Sequence, residues 1–271
     1  MRAKTHKPDL GGEIWRAVRM MSPTKDTQEL QGVSRFARLF IGLMAFGGAI
    51  AIGWVSLGAR AWPHLPFLAM LAIALPASRL KVKLPHLNSN MSVNLPFILL
   101  AAATLSTFEA LILATVSVAV QSLPRDGSKI RPAQMIFNLS SMAIAVELAS
   151  GILHGGIHVP SAWASASELL VLAGTSLLLA QTVPVATIIS LTEGGRLFRI
   201  WLNIFQMSFP YYVLSTGITS IMTTISRHVG WQAPLLALPV MYAVYRSYQL
   251  YLRAGGAQGS TVLRAKAAAT N

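Results

Sequence analysis

Residues 95–123 read LPFILLAAATLSTFEALILATVSVAVQSL and carry one charge, Glu109. How this stretch divides decides the fold. About 20 apolar residues cross a hydrocarbon core of about 30 Å, so it is either one steeply tilted helix or two short ones. Ser106-Thr-Phe-Glu109 spells a capping box, in which the serine oxygen accepts an amide of the new helix and the glutamate reaches back to the cap amide. A helix therefore begins after Ser106, and the stretch is two helices. Ser165-Ala-Ser-Glu168 repeats the device before a later apolar run. Both glutamates then have structural roles.

Working outward, apolar runs occupy residues 36–58, 66–78, 91–106, 108–123, 134–153, 168–192, 204–226 and 231–252. The chain is 54% hydrophobic and only 11% charged, where soluble domains carry roughly a quarter of their residues as charges. With eight spans, all but two of the 22 Lys and Arg residues fall on one side, leaving Arg60 and Arg227 opposite. Short cytoplasmic loops are enriched in Lys and Arg, so the crowded side is the inner one. Fusing residues 95–123 into a single span would reverse everything after it and destroy this asymmetry. Trp54, Trp62, Trp163 and Trp231 then lie near the outer boundary, where amphipathic rings favour the interface. The expected fold is an all-α integral membrane protein, a polytopic bundle of about eight transmembrane helices with both termini cytoplasmic. The net charge of +13 follows from that topology, and no nucleic-acid partner is needed to explain it.

Three regions are expected: a basic cytoplasmic tail over 1–35, a membrane domain over 36–253 and a disordered tail over 254–271. Within the first, Ile14, Trp15, Val18 and Met21 share a helical face and suit a short helix lying on the headgroups. A long polar stretch precedes the first apolar run, so no cleaved signal peptide is expected. The runs at 66–78, 91–106 and 108–123 are short for full crossings, which calls for bilayer thinning, extension through flanking residues, or partial re-entry.

Chemistry-bearing motifs are mostly missing. Cysteine is absent, and there is no GxSxG elbow, HExxH helix, P-loop or Rossmann glycine pattern. Asp126 is the only aspartate beyond the N-terminal tail, which leaves no paired acids for metal-dependent phosphate chemistry. No enzyme, cofactor or metal is expected. The most informative residue is Glu147, an acid inside an apolar run. A carboxylate there must be paired, protonated or open to a cavity, and is a functional candidate by default. Glu147, Gly151, His154 and His158 follow at helical spacing, with Gly155-Gly156 able to end the helix first. Two histidines and one acid make a weak metal signature, so the candidate chemistry is proton or ligand binding, set against an ordinary packing hydrogen bond. Asn138 lies nine residues back, about 180° round the helix. Either the helix is buried on both sides or one polar stripe merely packs. Gln181 and the stripe Ser208, Tyr212, Ser215, Thr219 and Thr223 could line a polar cavity, although hydroxyls commonly join membrane helices. The candidate ligand-binding residues are therefore Glu147, His154, Asn138, Gln181 and Tyr212.

Four short motifs, RLKVKLP (79–85), NMSVN (90–94), MIFN (135–138) and PVMYAVYRSY (239–248), resemble the multi-span N-terminal sensor region of bacterial cyclic-dinucleotide signalling proteins. There a diguanylate cyclase or phosphohydrolase output domain normally follows. The resemblance covers about residues 36–253 and carries over no catalytic residue. It implies a sensory or ligand-binding module in the inner (plasma) membrane. Its partners would be the lipid bilayer, a small-molecule ligand and a cytoplasmic signalling partner, with the chain acting without an output domain of its own. The other class compatible with such a bundle is a small-solute permease, or the substrate-capturing subunit of one.

Overall fold

A computed structural model describes residues 35–58, 65–79, 81–83, 90–92, 94–123, 132–163 and 165–229, with residues 239, 242, 243, 246 and 247. The tails, the interfacial helix expected at 14–21, most of the run at 231–252, Trp62 and Trp231 lie outside the described residues. Seven α-helices are described: α1 (Arg35–Gly58), α2 (Leu65–Arg79), α3 (Leu95–Thr104), α4 (Thr107–Ser122), α5 (Pro132–Leu153), α6 (Ala166–Glu193) and α7 (Leu197–Val229). By length and apolarity α1, α5 and α6 are candidate membrane spans, and α2, α3 and α4 are shorter apolar helices. The chain is a multi-pass helical membrane protein.

The division of residues 95–123 is as the capping box requires. Ser106 adopts extended angles (φ −64°, ψ 153°), its hydroxyl accepts from the Glu109 amide, and the Glu109 carboxylate accepts from the Ser106 amide at 3.1 Å. Ser165 and Glu168 form the same box at the start of α6. The start of α3 differs from the apolar pattern. Asn90–Ser92 forms a strand, β2, paired antiparallel with β1 (Lys81–Lys83), so that Lys81 faces Ser92 and Lys83 faces Asn90. The described residues are thus helical with one small ribbon, and α3 begins only at Leu95. Pro96 explains the boundary, since proline lacks an amide proton and suits a helix's first turn.

α3 is the innermost element. Its ten residues rise about 15 Å, half a membrane, and every residue from Leu95 to Ala102 is buried. It packs against α7, α4, α5 and α2. α5 is the other central helix, in contact with α1, α3, α4 and α6. Residues around its whole circumference are buried, Phe137, Ser141 and Ala145 as well as Ser140 and Ala143. That resolves the two polar faces at Asn138 and Glu147, because the helix has no lipid-facing side broad enough to waste on either.

Helix directions follow from the contacts. Phe40 meets Phe137 (ring centroids 6.2 Å apart), and a Cβ on Gly47 would lie 3.3 Å from Ile144. Contacts that ascend together mean that α1 and α5 run parallel. α5 and α6 are joined by the short, turned connection 154–165 and fold back on each other as an antiparallel hairpin, meeting where Ser141 and Met142 reach Ala180 and Gln181. α6 and α7 are also antiparallel, with Trp201 at Thr182 and Gly174 against Thr216. The Arg196–Arg199 turn therefore shares a side with Arg35 and Arg38, while Trp54 and Trp163 share the opposite one.

Close approach is written into small residues. At Gly48 a Cβ would come within 2.6 Å of the Ser140 Cα, and at Gly174 it would collide with Thr216 Oγ1. Pro184 sits inside α6 and leaves the carbonyl four residues earlier, that of Ala180, without its helical donor. The Ser141 hydroxyl of α5 donates to that carbonyl at 3.3 Å. The proline is tolerated because the neighbouring helix supplies the missing bond.

Candidate functional site

Hydroxyl groups in membrane helices normally donate to a carbonyl one turn back, which removes them as open polar groups. That is the fate of Thr104, Thr115, Ser122, Thr175, Thr187 and Thr216, at 2.7 to 2.9 Å. Among the described residues a few buried polar atoms have no partner: Asn94 Nδ2, Ser117 Oγ, Glu147 Oε2 and Ser150 Oγ. Two of the four, Glu147 and Ser150, stand one turn apart on α5.

Glu147 is half-buried towards the end of α5. By helical rotation it lies about 20° from Ser140, on the side that meets α1 at Gly48. Ser150, three residues on, is fully buried. The neighbourhood offers the carboxyl little opposite charge. On the helices packed against α5 the ionisable groups are Arg35 and Arg38 at the start of α1, Glu109 in the α4 cap, and Glu168 and Glu193 near the ends of α6. His154 follows α5, its amide donating to the Ser150 carbonyl at 2.9 Å. Gly155 then takes φ 75°, a left-handed angle that ends the helix, and both His154 and His158 are exposed. His154 thus lies two turns beyond Glu147, at the rim. Among the described residues no three His, Asp or Glu side chains group as metal ligands.

The other three candidates lie elsewhere. Asn138 is half-buried near the start of α5, one turn before Met142. Gln181 reaches across from α6, its Nε2 3.8 Å from the Met142 sulfur. These two flank the α5–α6 seam on the far side of α5 from Glu147. Tyr212 is half-buried in α7 and packs its ring edge-on against Tyr211, at 6.3 Å and 80°.

In the α7 hydroxyl stripe, Ser215 and Thr223 bond to carbonyls of their own helix and Thr219 also reaches another helix. Ser215 donates to the Tyr211 carbonyl at 2.7 Å. Thr219 Oγ1 lies 2.9 Å from the Ser215 carbonyl and 3.3 Å from that of Pro96 in α3. The neighbouring aromatic hydroxyl has a structural role. Tyr211, not Tyr212, accepts the Leu95 amide at 3.3 Å and so holds the first turn of α3. Sequence reasoning missed Tyr211 and Asn94. An Asn followed two residues later by proline is a helix-start signal that points to the second, whereas nothing in the stripe's periodicity separates Tyr211 from Tyr212.

The family model MASE9 matches residues 59–253. Comparison with curated proteins and with solved structures gives no match.

Proposed function

The chain belongs to the MASE9 family of membrane-associated sensor domains, the N-terminal sensory regions of signalling proteins such as diguanylate cyclases. From that premise we propose that the bundle senses through the open carboxyl of Glu147 and reports to a cytoplasmic partner. The observation that carries this reading is that Glu147 Oε2 is buried without a partner on the helix that touches four others. A carboxyl in that position gains or loses a proton, or meets the donor of a small ligand, at a free-energy difference set by its surroundings, and the helix beneath it responds. Family membership favours this over the permease class. Ser150 supplies a second open group, and His154 sits at the rim where a solute would enter.

The parallel run of α1 and α5 supports the topology of eight spans with both termini inside. An odd number of crossings must separate parallel helices, so residues 95–123 return the chain to the side from which they set out. A single fused span would make α5 antiparallel to α1. The domain limits, 1–35, 36–253 and 254–271, and placement in the inner membrane belong to the same reading. The test is an unbiased mass-spectrometric search for small molecules co-purifying with the wild type and with Glu147→Gln, at equal insertion. Loss of a bound species, or of proton-dependent behaviour, in the variant is the expected result. Identical ligand content together with identical pH dependence would reduce Glu147 to packing.

A further inference from the structure

α7 turns outward a face that does not suit lipid. Its neighbours set the standard: α1 exposes Leu39, Leu43, Phe46 and Ile50, and α6 exposes Val171, Leu179 and Val183. On α7 the exposed residues include Asn203, Gln206, Pro210, Val213, Gly217 and Thr224. Their spacings of three, four and seven residues place them on one stripe along the helix. The opposite side, with Tyr211, Ser215 and Thr219, is buried in the bundle. α7 is 33 residues long, yet the candidate spans by apolarity are α1, α5 and α6.

Two amides on the stripe are open. The Thr224 hydroxyl donates to the Ser220 carbonyl at 3.0 Å, whereas Asn203 and Gln206 bond to none of the described residues. Depth makes Gln206 the more telling. α6 and α7 are antiparallel with Gly174 against Thr216, and the same offset sets Gln206 level with Pro184. Pro184 lies nine residues, about 14 Å, from the inner end of α6 at Glu193. That is too deep for a glutamine to reach the headgroups, and an amide left in hydrocarbon is costly. The stripe therefore meets protein.

We infer that α7 is the contact helix of a homodimer, with a second copy of the chain docking its own α7 along the stripe 203–224. All copies cross the bilayer in the same sense. A two-fold axis along the membrane normal thus runs the two α7 helices parallel and sets each stripe residue opposite itself. A primary amide both donates and accepts, so Gln206 complements Gln206 and Asn203 complements Asn203. Gly217, with nothing within 4 Å of an added Cβ, lets the two backbones approach. The run 231–252 is the less suitable occupant. Turning back from Val229, even a continuous helix of that length would end level with about residue 208, short of both amides. The dimer contact lies on the opposite side of α7 from the bonds that Tyr211 and Thr219 make to α3. It does not rest on the reading of Glu147.

The chain has no cysteine, so single cysteines report cleanly. Val213→Cys and Thr224→Cys are oxidised separately in the membranes of the expressing cells, beside Leu43→Cys on the lipid face of α1. A disulfide needs Cα atoms within about 7 Å, so the two α7 variants should give linked dimers and Leu43→Cys should not. Energy transfer between labelled full-length chains in phosphatidylcholine vesicles then gives the dimer dissociation constant. Gln206→Leu suits lipid and breaks no bond of the bundle, and it should raise that constant by about three- to thirtyfold. Asn203→Leu should move it in the same direction. Absence of linked dimers from both α7 variants, or equal linkage from Leu43→Cys, would overturn the proposal. So would an unchanged dissociation constant in Gln206→Leu. An intrachain disulfide between Val213→Cys and a second cysteine placed within 231–252 would give the stripe to that run and overturn it as well.

Discussion

The polar residues of α5 and α7 look alike in sequence but behave differently in the bundle. On α7, Ser215 and Thr219 direct their hydroxyls to carbonyls of their own helix and of α3. On α5, Ser141 does the same for α6, yet two turns later Glu147 and Ser150 are left open. The difference teaches that a polar stripe in a membrane helix is not one kind of feature. Some groups replace backbone bonds that proline or helix ends remove, and their loss costs stability. Others satisfy nothing in the fold, and their loss should be felt in response.

The contrast breaks first at the seam that carries Glu147. Gly48→Ala should destabilise the bundle by about 1 to 3 kcal/mol, because the added methyl meets the backbone of Ser140 rather than a yielding side chain. Gly42, on the same helix with nothing within 4 Å, should accept alanine without loss. Thermal unfolding of the pair in detergent checks both. Equal destabilisation would mean that α1 is not held against α5 as described.

A smaller effect is expected at Ser141. Alanine there strands the Ala180 carbonyl that Pro184 has already deprived of a donor, at a cost of about 1 to 2 kcal/mol. The double change with Pro184→Ala should recover much of the loss, since the helix then supplies its own bond. Failure of the rescue would separate the serine from the proline. Thr219→Val tests the α7 stripe in the same way, with an expected loss of only about 0.6 kcal/mol, typical of hydrogen bonds between membrane helices. Smallest of all in stability is Glu147→Gln. It should stay within about 0.5 kcal/mol of wild type because no bond of the fold depends on Oε2.

Much of this architecture was legible in the sequence where the chemistry is local. The two capping boxes are complete within four residues each, so Ser106 and Ser165 marked their helix starts without reference to anything distant. The opposition of Asn138 and Glu147 across α5 was likewise a matter of rotation, and it left open a helix enclosed on both sides or a polar stripe that merely packs. What could not be read is which neighbour each face meets. Tyr211 and Tyr212 are equivalent in composition, and only the path of α3 selects the first. Gln181 carried no sign of the Met142 sulfur it reaches, and Ser141 no sign of the proline it compensates on another helix. The apolar character of residues 91–93 masked the ribbon, because strand pairing depends on the basic segment ten residues earlier.

The most direct test of the central claim compares hydrogen exchange of the full chain in nanodiscs at about pH 5 and about pH 8, a span over which a proton-linked response would show. Wild type and Glu147→Gln are measured side by side, with amides of α5 and the facing part of α1 as the readout. The account predicts a pH-dependent change in protection along that seam in the wild type and its absence in Glu147→Gln, whose stability is otherwise unaltered. A change of the same size in both proteins would contradict it.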